Sequence, residues 1–152
     1  MLRSVLIAFL IVCGHSSFSQ VNYKDFKEQY QISCTRMDSL SVMRSLKLLD
    51  SLSQFDITEG RELYLYDFGM TKYVMYGKWK NEDDLKEALD YFEEGFSIRK
   101  SSDFAWNLTL YSDLGDCDKA LDYLNQFLEL RKVEGIEIDY EQVYYVQRRC
   151  CN

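Results

Sequence analysis

Cysteine, histidine and closely spaced carboxylates are the side chains in this sequence whose types could do chemistry. There is one histidine, His15, and five cysteines, Cys13, Cys34, Cys117, Cys150 and Cys151. His15 falls in a segment that reads as an export signal, so the mature chain is expected to hold no imidazole. Without one, neither a Ser-His-Asp nor a Cys-His nucleophile assembles. Zinc sites that mix Cys with His are excluded on the same ground, and a four-Cys site needs spaced pairs that are missing here. Paired carboxylates occur at Asp83-Asp84, Glu93-Glu94 and Asp116 with Asp118. Adjacent helical residues point about 100° apart, so Glu93 and Glu94 cannot converge on one substrate. Asp83, Asp84, Asp116 and Asp118 sit near expected helix starts, where the positive end of the helix dipole favours them. Their spacing fails the ordered calcium loop, and phosphate-binding Gly-rich loops and a Gly-x-Ser-x-Gly elbow are absent. The expectation is a chain with no catalytic residue, no metal and no cofactor. Asn107-Leu108-Thr109 matches a glycosylation acceptor but lies inside an expected helix, which favours a chance match.

The first nineteen residues carry Arg3, an apolar run from Val5 to Val12, and the small residues Ser17 and Ser19 flanking Phe18. That order predicts a signal peptide cleaved after Ser19, and an exported protein, periplasmic or secreted. Eight apolar residues fall short of the roughly 20 that a spanning helix needs, so no membrane span is expected after cleavage. A lipid anchor at Cys13 is disfavoured because Val12, directly before it, is not small. The remaining 133 residues suffice for one domain with a real core. Four cysteines remain, which permits two disulfides in three connectivities, or none. Removing Arg3 takes the net charge from −7 to −8. An acidic chain without a basic cluster has no footprint for phosphate backbones, so no nucleic-acid partner is expected.

Helices must position these residues, because proline is absent and apolar residues recur three or four apart almost throughout. Tyr23, Phe26, Tyr30, Cys34 and Met37 mark one stripe, on a helix over residues 22–38. Leu40, Met43, Leu46, Leu49 and Leu52 mark a second, with Ser39 or Ser41 as its cap. Residues 56–60 read as a break, and no stretch alternates as a strand would. Further helices are expected over 61–78, 82–99 and 103–114, then one that ends near Lys132 and a last over 139–149, with Asn81 and Ser102 as caps. Gly115-Asp116 makes a tight corner.

Ala88-Leu89-Asp90-Tyr91 recurs as Ala120-Leu121-Asp122-Tyr123 after 32 residues, and Tyr111 and Tyr145 lie 34 apart. Periods of this size mark stacked helical hairpins. The stretch from Gly115-Asp116 through Ala120 to Leu130 resembles the inter-helix turn and second helix of the tetratricopeptide repeat family. The resemblance makes Ala120, and Ala88 before it, the small residue where two helices cross. It makes Tyr111 the tyrosine between helices, with Tyr145 its counterpart in the next unit, and Phe104 the large aromatic of the first helix. Departures are Leu108 and Phe127 at places where the family has small residues, and Lys132 where it has proline. The earlier unit has a longer turn, and Gly95 at its late small position.

The resemblance implies an all-α, short right-handed α-solenoid of about six to seven helices, a single domain over residues 20–152. Residues 22–55 form an N-terminal hairpin, 59–99 a degenerate repeat, 102–132 the best-matched repeat and 139–152 a C-terminal helix. In that family the first helices line a concave groove for a protein or peptide partner. Ala105, Thr109 and Ser112 would face it, and Met70, Tyr73 and Val74 would supply a stickier wall. Cys117 and Cys151 then fall at equivalent points of successive units. Packed helices lie roughly 10 Å apart and a disulfide wants its Cα atoms within about 7 Å, so a bend at the chain end is needed. Cys117 to Cys150 or Cys151 is the expected pairing. The function implied is a non-catalytic protein-interaction module. The alternatives are an immunity-type protein fixed to one cognate partner, and a small helical enzyme with a closed pocket.

Overall fold

A computed structural model describes residues 20–34 and 38–150. The expected signal peptide, with Cys13 and His15, lies outside these residues, as do Met37 and Cys151. The described chain is all-α with one small strand pair. Its elements are β1 (Gln20–Asn22), α1 (Lys24–Cys34), α2 (Ser39–Leu52), β2 (Asp56–Glu59), α3 (Arg61–Trp79) and α4 (Glu82–Ile98). They continue with α5 (Ser102–Leu108), a 3-10 helix (Thr109–Leu114), α6 (Cys117–Glu134) and α7 (Tyr140–Cys150).

The strands correct the reading of residues 22 and 56–60 as helix start and break. β1 and β2 pair in parallel with Val21 opposite Ile57, and Tyr23 N–H extends the pairing to the Glu59 carbonyl at 2.9 Å. Three and four residues are too few for alternation to show. The α2 stripe also differs. Val42, Ser45, Leu49 and Leu52 are buried while Leu40 and Met43 are exposed. The cap of α2 is neither Ser39 nor Ser41 but Asp38, whose carboxylate accepts from Ser41 N–H at 2.7 Å. Asn81 does cap α4, accepting from Asp83 N–H at 3.2 Å.

Successive helices pack on one another, α3 with α4 and α5 with α6 most extensively. Two glycines let rings approach a helix axis: a Cβ on Gly69 would meet the Phe92 ring, and one on Gly95 would overlap the Phe104 ring. One core cluster centres on Tyr23, Leu49, Leu65 and Phe68. The other runs from Phe92 and Phe96 through Phe104, Leu108 and Phe127 to Val146. Ser102 is not a cap. It lies in the first turn of α5, where its backbone N–H and hydroxyl both donate to the Glu134 carboxylate, at 3.0 and 2.5 Å. Gly115 ends the 3-10 helix with φ 79°, a left-handed conformation that glycine adopts without steric cost. Asp116 then caps α6 by accepting from Lys119 N–H at 3.2 Å.

Candidate functional site

The site grows from one carboxylate in an aromatic helix. α3 is apolar on most sides, and Asp67 at its middle is only 3% exposed. A buried carboxylate needs partners, and the start of α1 supplies them. Tyr23 and Lys27 are four residues apart and share a face with Tyr30. Tyr23 Oη donates to Asp67 Oδ2 at 2.7 Å, and Lys27 Nζ donates to both carboxylate oxygens at 2.6 Å. Tyr30 Oη donates to the Asp67 carbonyl at 3.1 Å, which also accepts from Thr71 Oγ1 at 2.8 Å. Burial pushes the Asp67 carboxyl above its ordinary value of 3.8, against the downward pull of Lys27 and Tyr23.

Beside this polar seam lies a cavity of about 230 Å³ between α1, α2 and α3. Tyr30 lines it from α1; Ser41, Val42 and Ser45 from α2; Tyr66, Asp67, Met70, Thr71 and Val74 from α3. Three of its hydroxyls are turned toward backbone: Ser45 Oγ donates to the Ser41 carbonyl at 3.0 Å, as Thr71 and Tyr30 do to Asp67. The wall is therefore largely apolar. Met70 and Val74, one turn apart, were both expected at a binding surface and both line this cavity.

Tyr73 does not line it. Its ring stacks on Tyr76 with centroids 6.4 Å apart, and burial, with Asp113 nearby, raises its phenol. Ala105, Thr109 and Ser112 require a correction, because they are 0%, 2% and 8% exposed and cannot line an open groove. A 3-10 helix turns about 20° more per residue than an α-helix, so the α register fails beyond Leu108. Thr109 Oγ1 folds back onto the Trp106 carbonyl at 2.7 Å, and α7 packs against the 3-10 helix. Asn107 of the glycosylation tripeptide is buried as well.

The residues that defined the repeat separate into two groups. Ala88, Phe104 and Ala120 are buried, and Tyr111 is 9% exposed, stacked on Tyr123 at 6.1 Å. Tyr145 is 55% exposed, since no described helix follows α7 to cover it. Cys117 and Cys150 form a disulfide with Cα atoms 5.2 Å apart. That is about half the separation expected from helix packing, because the last residue of α7 lies close against the first residue of α6.

The members of the Asp83-Asp84 and Glu93-Glu94 pairs are taken up by different partners. Glu93 accepts from Tyr111 Oη at 2.7 Å and Tyr123 Oη at 3.3 Å, while Glu94 pairs with Arg61. Asp84 lies 3.6 Å from Lys72. Among the described residues no three acidic, Cys or His side chains gather as a metal site, and no helix is long and apolar enough to cross a membrane.

Sequence reasoning missed Asp67, Tyr23 and Lys27. The usable signal was a lone acid between Leu65 and Phe68 in a helix apolar on most sides, facing a Tyr-x3-Lys-x2-Tyr pattern upstream. No family model matches the chain, and no curated protein or solved structure is significantly similar to it.

Proposed function

We propose that this chain is a non-catalytic protein-binding module of tetratricopeptide-like hairpins, acting in the cell envelope or secreted space. It would take one large apolar side chain of a peptide or partner protein into the cavity between α1, α2 and α3. The observation that carries this reading is an apolar cavity whose only carboxylate, Asp67, is already engaged by Tyr23 and Lys27. Polar groups already satisfied neither attack a substrate nor resist desolvation, so the cavity favours apolar burial over chemistry. The exposed Leu40 and Met43 on α2, one of the helices that form the cavity, are in keeping with a contact surface. The Cys117–Cys150 disulfide fits an oxidising compartment.

Panning a random-peptide display library against the purified chain tests this reading. Enriched peptides should share one large apolar residue, and Val74→Arg should abolish their binding with little change in Tm, Val74 being half-buried. Peptides that bind Val74→Arg as well as the parent chain would sink the cavity as the site.

A further inference from the structure

The far end of the molecule carries a second surface, independent of the α1–α3 cavity. α7 buries one stripe, Val143 and Val146, and is fastened through Cys150. On its outer side Tyr140 and Tyr144, one turn apart, are 61% and 54% exposed. A shallow depression of about 530 Å³ lies between this face and α6, lined by Leu128, Ile136, Ile138 and Tyr140 together with the charged Glu129, Lys132 and Glu137.

The internal repeat says what such a face is shaped for. The 34-residue offset that aligns Tyr111 with Tyr145 aligns Tyr140 with Trp106 and Tyr144 with Leu110. Trp106 and Leu110 pack against the core, Trp106 with its ring 5.4 Å from Phe127 of α6. Tyr140 thus occupies the position at which the preceding unit meets its second helix, whereas Tyr144, whose counterpart Leu110 lies in the 3-10 helix, stands exposed one turn further on, and no described helix covers either.

Charge decides which helix would fit. Glu141 stands at the start of this face and Arg148 at its end. Neither side chain has an ion-pair partner among the described residues, whereas the neighbouring Arg149 is held by Asp113 at 2.9 Å. An acid, a central tyrosine and a base in that order complement themselves when reversed. We propose that α7 pairs antiparallel with α7 of a second copy of this chain about a two-fold axis near Tyr144. Glu141 of each copy then meets the partner subunit's Arg148, twice over by symmetry. The two Tyr144 rings stack at the centre, and Tyr140 covers the stem of the opposing Arg148. Parallel pairing would set Glu141 against Glu141 and Arg148 against Arg148, so the charges fix the direction.

Sedimentation velocity of the disulfide-intact chain over a wide concentration range tests the pairing. A reversible dimer is expected, and Tyr144→Arg should leave a folded monomer by circular dichroism. Glu141→Arg or Arg148→Glu alone should each weaken the dimer about tenfold or more, because two pairs become repulsive at once. The double reversal Glu141→Arg with Arg148→Glu should restore it. A monomer at every concentration overturns the proposal, and so does a dimer indifferent to the single reversals or a double variant that stays dissociated. Peptide binding at the α1–α3 cavity should be unchanged in Tyr144→Arg, which separates this test from that of the binding function.

Discussion

Lys27 and Tyr23 pull the Asp67 carboxyl down against the upward push of burial, and that balance has a measurable sign. Burial raises its carboxyl, so the fold favours the protonated form, and stability is lost as pH rises through the folded value. Lys27→Met removes the opposing charge and raises the carboxyl further. The variant should lose about 2 kcal/mol at neutral pH, discounted from a fully buried pair because Lys27 is partly exposed. The deficit should shrink as pH falls and Asp67 protonates; chemical denaturation at two pH values reads both effects. Gly95→Ala tests a different contact, since the added methyl would overlap the Phe104 ring. Overpacking of this kind costs about 1–3 kcal/mol, and the loss should appear as a lower urea midpoint with an unchanged slope. Gly95 was legible in the sequence as a late small position in its repeat. Asp67 was not, because a single acid in an apolar helix gives no periodic signal, and its partners lie some forty residues away.

At the scale of elements, helix type was legible wherever an apolar stripe ran for three turns or more, as in α3, α4 and α6. Winding was not. Residues 103–114 read as one helix, yet the chain tightens to 3-10 at Thr109, and this buries Thr109 and Ser112 rather than presenting them. The stripe of α2 was read about one residue out of phase because Ser41 and Ser45 are buried where Leu40 and Met43 were expected. Serine escapes an apolar count, though its hydroxyl is satisfied within the helix. α7 supplies the prediction at this scale. Val143, Val146, the Asp113–Arg149 pair and the disulfide hold it in place. Cys117→Ser with Cys150→Ser should lower stability by about 4 kcal/mol, the chain-entropy value for a crosslink with this sequence separation. Amide exchange should show α7 losing protection first while α3 and α4 keep theirs.

For the whole molecule the buried tyrosines govern how stability responds to alkaline pH. Burial pushes Tyr123 up to about 12 and raises Tyr64, Tyr66, Tyr73, Tyr91 and Tyr111 as well. Glu93 adds to the rise at Tyr111 and Tyr123. These phenols stay neutral in the folded chain while the unfolded chain ionises them near 10.0. Their contribution is therefore complete below pH 10 and lost as pH climbs above it. Thermal melts should show Tm falling steeply across that range, with tyrosinate absorbance appearing together with loss of helix rather than before it. Tyr111→Phe should soften the fall.

The disulfide described above also sets how the chain transmits force. It ties the first residue of α6 to the last of α7, 33 positions apart. A load applied at the C-terminus therefore bypasses both helices and arrives at the corner after Gly115. About 115 Å of potential extension is withheld from any pulling or threading process until the bond is reduced. The chain would yield from its N-terminal hairpin, and the segment bearing Tyr140 and Tyr144 would be the last to lose its shape.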